Sequence, residues 1–241
     1  MTIPEERWVF VADDGLVYTI GGGVDAFEEP IASRPFFFFS NVKRVSGRAH
    51  AVGPCRKVFV RESPDEWRQL EAGLFPQGVQ TNHDYSGFSD IDGFSESDLY
   101  ACGGRGDLWH FDGRLWEQVD IPTNDNLWRL CCASNGIVYV VTGSRQILMG
   151  RDQRWTLVSQ DLTDQQLESI VAFQGKVIVS TESVLYEMVG DKLQFASLGD
   201  MPAMRSCSFL SAEDGILVVA GSRDACCFDG TKWSVIIPST P

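Results

Sequence analysis

The side chains able to do chemistry are few and scattered. Three histidines occur, His50, His83 and His110, and no H-x-E, H-E-x-x-H or paired spacing joins them. His50 sits between Ala49 and Ala51 and His110 follows Trp109, so both read as lone strand histidines with structural partners. The seven cysteines are Cys55, Cys102, Cys131, Cys132, Cys207, Cys226 and Cys227. None forms a C-x2-4-C or Cys/His knuckle, and the adjacent pairs point to opposite faces of a strand, so they read as reduced core thiols. Asp90-Ile-Asp92-Gly93 opens like a calcium loop. It lacks the third acidic position and the distant bidentate glutamate, and fits the end of a strand and a turn. Gly21-Gly22-Gly23 and Gly103-Gly104-Arg105-Gly106 join strands, with no helix after them to offer N–H groups to a phosphate, so both read as hairpin turns. G-x-S-x-G is absent, and no Ser/His/Asp or Cys/His set is suggested. No catalytic residue, no metal site and no cofactor is expected.

The elements that would carry these residues are strands in a repeat. An apolar strand, a Gly or Asp turn, a second strand and a large apolar residue beyond a further turn recur along the chain. Aligning that last residue gives Phe27, Trp67, Trp116, Trp155, Leu193 and Trp233, spaced by 40, 49, 39, 38 and 40. Alternation over four to seven residues within each unit is the strand period. Asp13-Asp14-Gly15, Asp112-Gly113, Asn135-Gly136, Asp214-Gly215 and Asp229-Gly230 mark the joints. Thr163 to Ser169 reads as a loop or a single turn. Six units of about forty residues, each with four short strands, use nearly all of the 241 residues. The pattern predicts an all-β, six-bladed β-propeller of about 40-residue four-stranded blades, a single domain over 1–241. The first blade's opening strand is expected near Thr2 to Glu6. A single small sheet cannot cover both its faces, whereas stacked blades cover each other and leave short edges. The recurring aromatic is placed near the outermost strand, filling the gap between blades. Phe36 to Phe39 is expected to pack against the next blade.

Two segments also carry a resemblance. Phe94-Ser-Glu-Ser-Asp-Leu-Tyr-Ala-Cys-Gly103, followed by Leu108-Trp-His-Phe-Asp-Gly-Arg-Leu-Trp116, resembles the bacterial propeller repeat S-P-x-D-V-W-A-V-G … I-x-H-Y-D-G-x-x-W. The last unit keeps Phe228-Asp-Gly-Thr-Lys-Trp233 and the fourth keeps Arg154-Trp155. The resemblance implies a propeller and no shared catalytic residues.

Charge is distributed unevenly. The net charge is −13, which argues against nucleic acid or an anionic membrane as partner. Residues 1–33 hold seven acids and one base, 34–68 three acids and eight bases, 69–104 six acids and no base. The second blade is thus a basic wedge, built from Lys43, Arg44, Arg48, Arg56, Lys57, Arg61 and Arg68, between acidic neighbours. The long 49-residue spacing places an insertion of roughly ten residues between Glu71 and Asp90, and propeller insertions become surface loops that bind.

The expected role is that of a non-catalytic, protein-binding propeller. No basic n-region precedes an apolar stretch, and no apolar run reaches the roughly 20 residues of a spanning helix, which predicts a cytoplasmic location. The sharper expectation is an immunity protein that binds and neutralises a bacterial toxin domain. Toxins acting on nucleic acid are commonly basic, and an acidic rim would steer and mask one. The expected contact residues are His83, Asp84, Tyr85, Phe88, Asp90, Asp92 and Glu96. The alternative is a propeller enzyme or small-ligand sensor with polar groups converging on a central channel, near Asp90, Asp92, Arg129, Glu168 and Arg205.

Overall fold

The computed structural model describes residues 8–31, 38–74, 87–159 and 163–239. Apart from one 3-10 turn at Gly104–Gly106, its regular structure is antiparallel strand. The first sheet holds β1 (Trp8–Val11), β2 (Val17–Gly21) and β3 (Val24–Glu28). The second holds β4 (Asn41–Val45), β5 (Arg48–Gly53), β6 (Lys57–Ser63) and β7 (Glu66–Gln69). The third holds β8 (Phe88–Ser95), β9 (Asp98–Gly103), β10 (Leu108–Phe111) and β11 (Trp116–Gln118). The fourth holds β12 (Leu127–Cys132), β13 (Val138–Thr142), β14 (Gln146–Arg151) and β15 (Arg154–Ser159). The fifth holds β16 (Ser169–Phe173), β17 (Lys176–Ser180), β18 (Leu185–Val189) and β19 (Lys192–Phe195). The sixth holds β20 (Phe209–Glu213), β21 (Ile216–Ala220), β22 (Ala225–Phe228) and β23 (Trp233–Ile237).

Within each sheet the strands pair in chain order. These are the blades of an all-β, six-bladed β-propeller. Three strands are described in the first blade, and the opening strand expected near Thr2 to Glu6 lies outside the described residues. The stretch from Thr163 to the start of β16 is a loop. Turn chemistry follows the sequence. Gly22 and Gly23 connect β2 to β3 with φ of 57° and 77°, the paired left-handed geometry of a tight hairpin. Gly103 allows a close backbone crossing, since a Cβ there would lie 2.0 Å from the Gly87 carbonyl oxygen.

The chain forms two compact units, one of Met1–Gly104 with Trp109–Gln118, the other of Arg105–Leu108 with Val119–Pro241. In the first unit β4 lies against β8; in the second, β12 lies against β16 and β16 against β20. In these pairs the neighbouring blades of one unit therefore meet along their opening strands. The first unit buries Val17, Ile31, Ala51 and Phe59 in one cluster, and Val52, Val58, Ile91, Leu99, Phe111 and Trp116 among others in a second. The second unit buries Cys131, Val141, Ile147, Ile170, Val179 and Leu193 in one cluster, and Ile178, Leu185, Cys207, Leu217, Val219 and Phe228 in another. Each fully buried Val, Leu or Ile contributes about 1.5–3 kcal/mol relative to an exposed one.

The recurring large residue does what its spacing implies in four blades, Trp67 among them, packed partly buried against the cluster of Val17, Ala51 and Phe59. Trp116 is buried and its Nε1 donates to the Leu70 carbonyl at 3.2 Å, beyond the last strand of the preceding blade. Trp233 repeats the arrangement, donating to the Leu198 carbonyl at 2.7 Å. Leu193 is buried in the cluster of blades four and five. Trp155 instead donates to its own turn at the Asp152 carbonyl, and Phe27 is 74% exposed. Of the Phe36 to Phe39 run, Phe39 packs edge-on against Phe59 with ring centroids 5.8 Å apart, while Phe38 is exposed. Phe36 and Phe37 lie outside the described residues.

Candidate functional site

Strand β8 carries most of the residues expected to touch a partner, and its length separates them. Eight residues at about 3.3 Å each put Phe88, at one end, roughly 25 Å from the turn holding Glu96 at the other. Phe88 and Glu96 therefore cannot share one small patch. Phe88 is also a core residue, 1% exposed and tilted against Trp116 with centroids 6.0 Å apart. The expectation that its ring faces a partner is corrected: a bulky apolar side chain at that register position falls on the covered face. Glu96 remains on the surface, in the tight connection between β8 and β9. His83, Asp84 and Tyr85 lie outside the described residues.

Asp90 and Asp92 belong to the body of β8 and not to a turn at its end. Asp90 is 1% exposed; one carboxylate oxygen accepts from Asn41 Nδ2 at 2.6 Å and from its neighbour's amide, Ile91 N, at 2.9 Å. Lys43 Nζ lies 3.6 Å from both Asp90 and Asp92. Two residues apart on one strand, the two carboxylates face the same way, and Lys43 on the adjoining β4 bridges them. The pair is thus engaged inside the seam between blades two and three, which corrects its assignment to a partner-facing surface.

The same seam continues outward as a chain of charges. Arg48 Nη1 binds Glu62 at 2.8 Å, and Arg48 Nε reaches Glu96 across the seam at 3.2 Å. Arg68 Nε binds Glu62 at 2.6 Å. Arg56 stacks over Trp109 of blade three, 4.8 Å from the ring centroid. On the other side of blade two, Arg61 pairs with Glu28 through two nitrogens, and Asp65 N donates to Glu28 at 3.2 Å. Burial alone would raise the Glu28 carboxyl, but hydrogen bonds from Arg61, Thr19 and Asp65 outweigh it and hold it below its ordinary value. Sequence reasoning saw the basic wedge between acidic neighbours and missed that these charges bond one another.

The two described histidines, His50 and His110, read as structural. His50 is buried, with Nδ1 3.1 Å from the Arg48 carbonyl, and its burial pushes the imidazole below its usual pKa. His110 Nε2 meets Asp98 at 2.8 Å, and the ring stacks on Tyr100 with centroids 4.5 Å apart. The residues named for a polar channel divide likewise. Arg129 Nη1 donates to the Trp128 carbonyl at 2.8 Å; Glu168 is exposed; the Arg205 amide donates to Asp224 at 2.6 Å. Among the described residues no group of three His, Cys, Asp or Glu side chains could hold a metal ion. All seven cysteines are free thiols, and burial raises those of Cys207 and Cys226 to about 11. Among the described residues no helix is long and apolar enough to cross a membrane.

No protein-family profile matches the chain. A curated protein does: the immune protein Tsi7 of Pseudomonas aeruginosa is 33% identical over 238 residues, covering 97% of this chain and 76% of that protein. The chain belongs to the Tsi7 immune-protein family. Its role is that of an immunity protein. Among solved structures, virginiamycin B lyase of Staphylococcus aureus matches with a TM-score of 0.71 and 8% identity, covering 97% of this chain and 84% of that one. The gluconolactonase XC5397 of Xanthomonas campestris matches at 0.62 with 12% identity, covering 95% and 82%. YCF48 of Cyanidioschyzon merolae matches at 0.56 with 12% identity, covering 97% and 86%. At such identities these likenesses concern the fold alone.

Proposed function

We propose that this Tsi7-family chain acts in the cytoplasm, without catalysis, by binding a basic bacterial toxin domain and occluding its working surface. The observation that carries the reading is the 33% identity to an immune protein along nearly the whole chain. Charge supports the sign of the partner: a net charge of −13 draws a basic domain in and disfavours nucleic acid. No cofactor is needed for occlusion. The contact surface we assign includes His83, Asp84 and Tyr85 of the sequence preceding β8, a mixture of acidic and aromatic groups suited to a protein interface. Glu96 is a separate contact at the far end of β8.

The test is capture from the native host by the tagged full chain, with identification by mass spectrometry and reconstitution of the complex. A one-to-one complex with a toxin, and protection of cells that produce it, is expected. Failure to protect against any toxin that the chain captures overturns the reading. Asp84→Lys should slow association about tenfold at low salt, with the difference fading as salt rises. An unchanged rate removes Asp84 from the interface.

A further inference from the structure

The second unit contains an aromatic side chain that the fold does not use. Trp128 lies on β12, the opening strand of blade four, and is 45% exposed. Leu127 pairs with Thr142 and Arg129 with Val141, so Trp128 is the extra residue of a β-bulge. A bulge re-aims the side chain it carries. Leu127 beside it is fully buried, and Trp128 is turned out to solvent. Blade three has the same irregularity at the same place: Phe88 pairs with Gly103 and Asp90 with Cys102, leaving Ser89 as the extra residue. The bulge therefore forms with a serine, and folding does not account for a tryptophan at 128.

The surroundings are charged and held in place. Gly143 lies under the indole, since a Cβ there would come within 3.1 Å of both Trp128 Nε1 and Asp125 Oδ1. Asn126 Oδ1 accepts from the Arg105 amide at 3.1 Å, and Gly106 N donates to the Asp125 carbonyl at 2.6 Å. Arg129 is anchored on the Trp128 carbonyl, and Arg145, two residues beyond Gly143, is anchored on the Asp164 carbonyl at 2.6 Å. Arg105, Arg129 and Arg145 thus belong to segments that meet at this corner, where the Asp125 carboxylate is already engaged by the Ser144 and Asn126 amides at 2.5 and 2.7 Å. Trp and Arg are the residue types that most often dominate a protein interface, the first by area and the second by bidentate bonding to carboxylates.

We propose that Trp128, flanked by Arg105, Arg129 and Arg145, anchors a docking surface for a carboxylate-bearing segment of the toxin that this immunity protein binds. The inference rests on the immunity reading and adds a contact of opposite charge to the one assigned to Asp84 and Glu96. A partner that is basic overall and presents an acidic segment to this corner gains register as well as attraction.

The probe is the toxin captured and purified as described above. Trp128→Ser, which copies the bulge of blade three, is expected to weaken binding at least tenfold, chiefly through faster dissociation, while thermal unfolding stays unchanged. Arg145→Glu, on an exposed side chain, should slow association, with the loss shrinking as salt rises. If Trp128→Ser and Arg145→Glu both bind with wild-type affinity and rate, the proposal is overturned. Should Trp128→Ser unfold early, Arg145→Glu and Arg105→Glu decide alone: reduced binding supports the surface and unchanged binding overturns it. A wild-type chain that captures no toxin overturns the immunity reading itself, whereas normal capture by these variants overturns only the Trp128 surface.

Discussion

The two compact units hold their blades together differently. In the first, the seams around blade two combine an apolar centre with charged partners: Glu28 with Arg61 on one side, and Asp90, Asp92 and Glu96 with Lys43 and Arg48 on the other. In the second, the clusters joining blades four to five and five to six are built from Val, Ile, Leu, Met, Phe, Tyr, Ala and Cys. There the pair Lys176–Glu187 lies within a single sheet, between β17 and β18. Charge clustered along a sequence is therefore no sure sign of a binding surface. In the first unit much of it faces inward, where its strength depends on burial.

Breaking the innermost ion pair should give the largest effect. Glu28 and Arg61 have side-chain exposures of only 6% and 15%, so Glu28→Ala leaves a guanidinium in the seam without its counter-ion. Loss of one partner of a buried pair costs about 3–5 kcal/mol. Hydrogen exchange on the full chain should localise the loss to β2, β3 and β6, leaving β17 and β21 protected. Glu28→Ala combined with Arg61→Met should recover most of it, because the stranded charge is gone. Equal protection loss in both units, or a double variant as weak as the single, breaks the contrast. The control is Leu217→Ala in the second unit, fully buried in apolar surroundings. It should cost a comparable 2–5 kcal/mol through the cavity it leaves, with no dependence on salt.

A smaller effect, confined to the first unit, comes from His50. Its imidazole is buried and its folded pKa lies below 6.5, with desolvation the leading cause; Arg48 and Arg68 add repulsion and Glu96 opposes them. The unfolded chain then takes up a proton first as pH falls through 6.5. Stability contributed by His50 is complete above that value and is lost progressively below it, down to the folded pKa. Denaturation midpoints between pH 7 and pH 5.5 should fall for the wild type and fall less for His50→Gln. An identical slope in both would mean that His50 is not what makes this seam sensitive to acid.

Much of the architecture was legible because packing recurs. Trp116 and Trp233 repeat at matched places since each bridges to the backbone of the blade before it, and a repeated contact leaves a repeated residue. Site assignments were less legible because neither exposure nor pairing is periodic. Asp90 and Glu96 are similar letters six positions apart, yet one is 1% exposed and bound by Asn41 and Lys43, and the other lies in an open turn. Trp128 escaped notice since nothing in Leu-Trp-Arg-Leu announces a bulge. Strict alternation would place Trp128 on the face opposite Leu127 and Arg129, whereas the extra residue shifts the phase.

The smallest effect tests the outer end of the charged seam. Arg48 and Glu96 join blades two and three at 3.2 Å, but their side chains are 39% and 44% exposed. Water screens such a pair, and holding two flexible side chains together offsets part of the attraction, so its coupling is about 0.2–1 kcal/mol. A double-mutant cycle of Arg48→Ala and Glu96→Ala should read within that range in low salt and approach zero near 1 M, where the screening length is about 3 Å. Arg48 also binds Glu62, so the single Arg48 variant should cost more than the single Glu96 variant. A coupling that matched the Glu28–Arg61 pair and ignored salt would show that the seam acts as one cooperative network, in which depth does not grade the strength of its members.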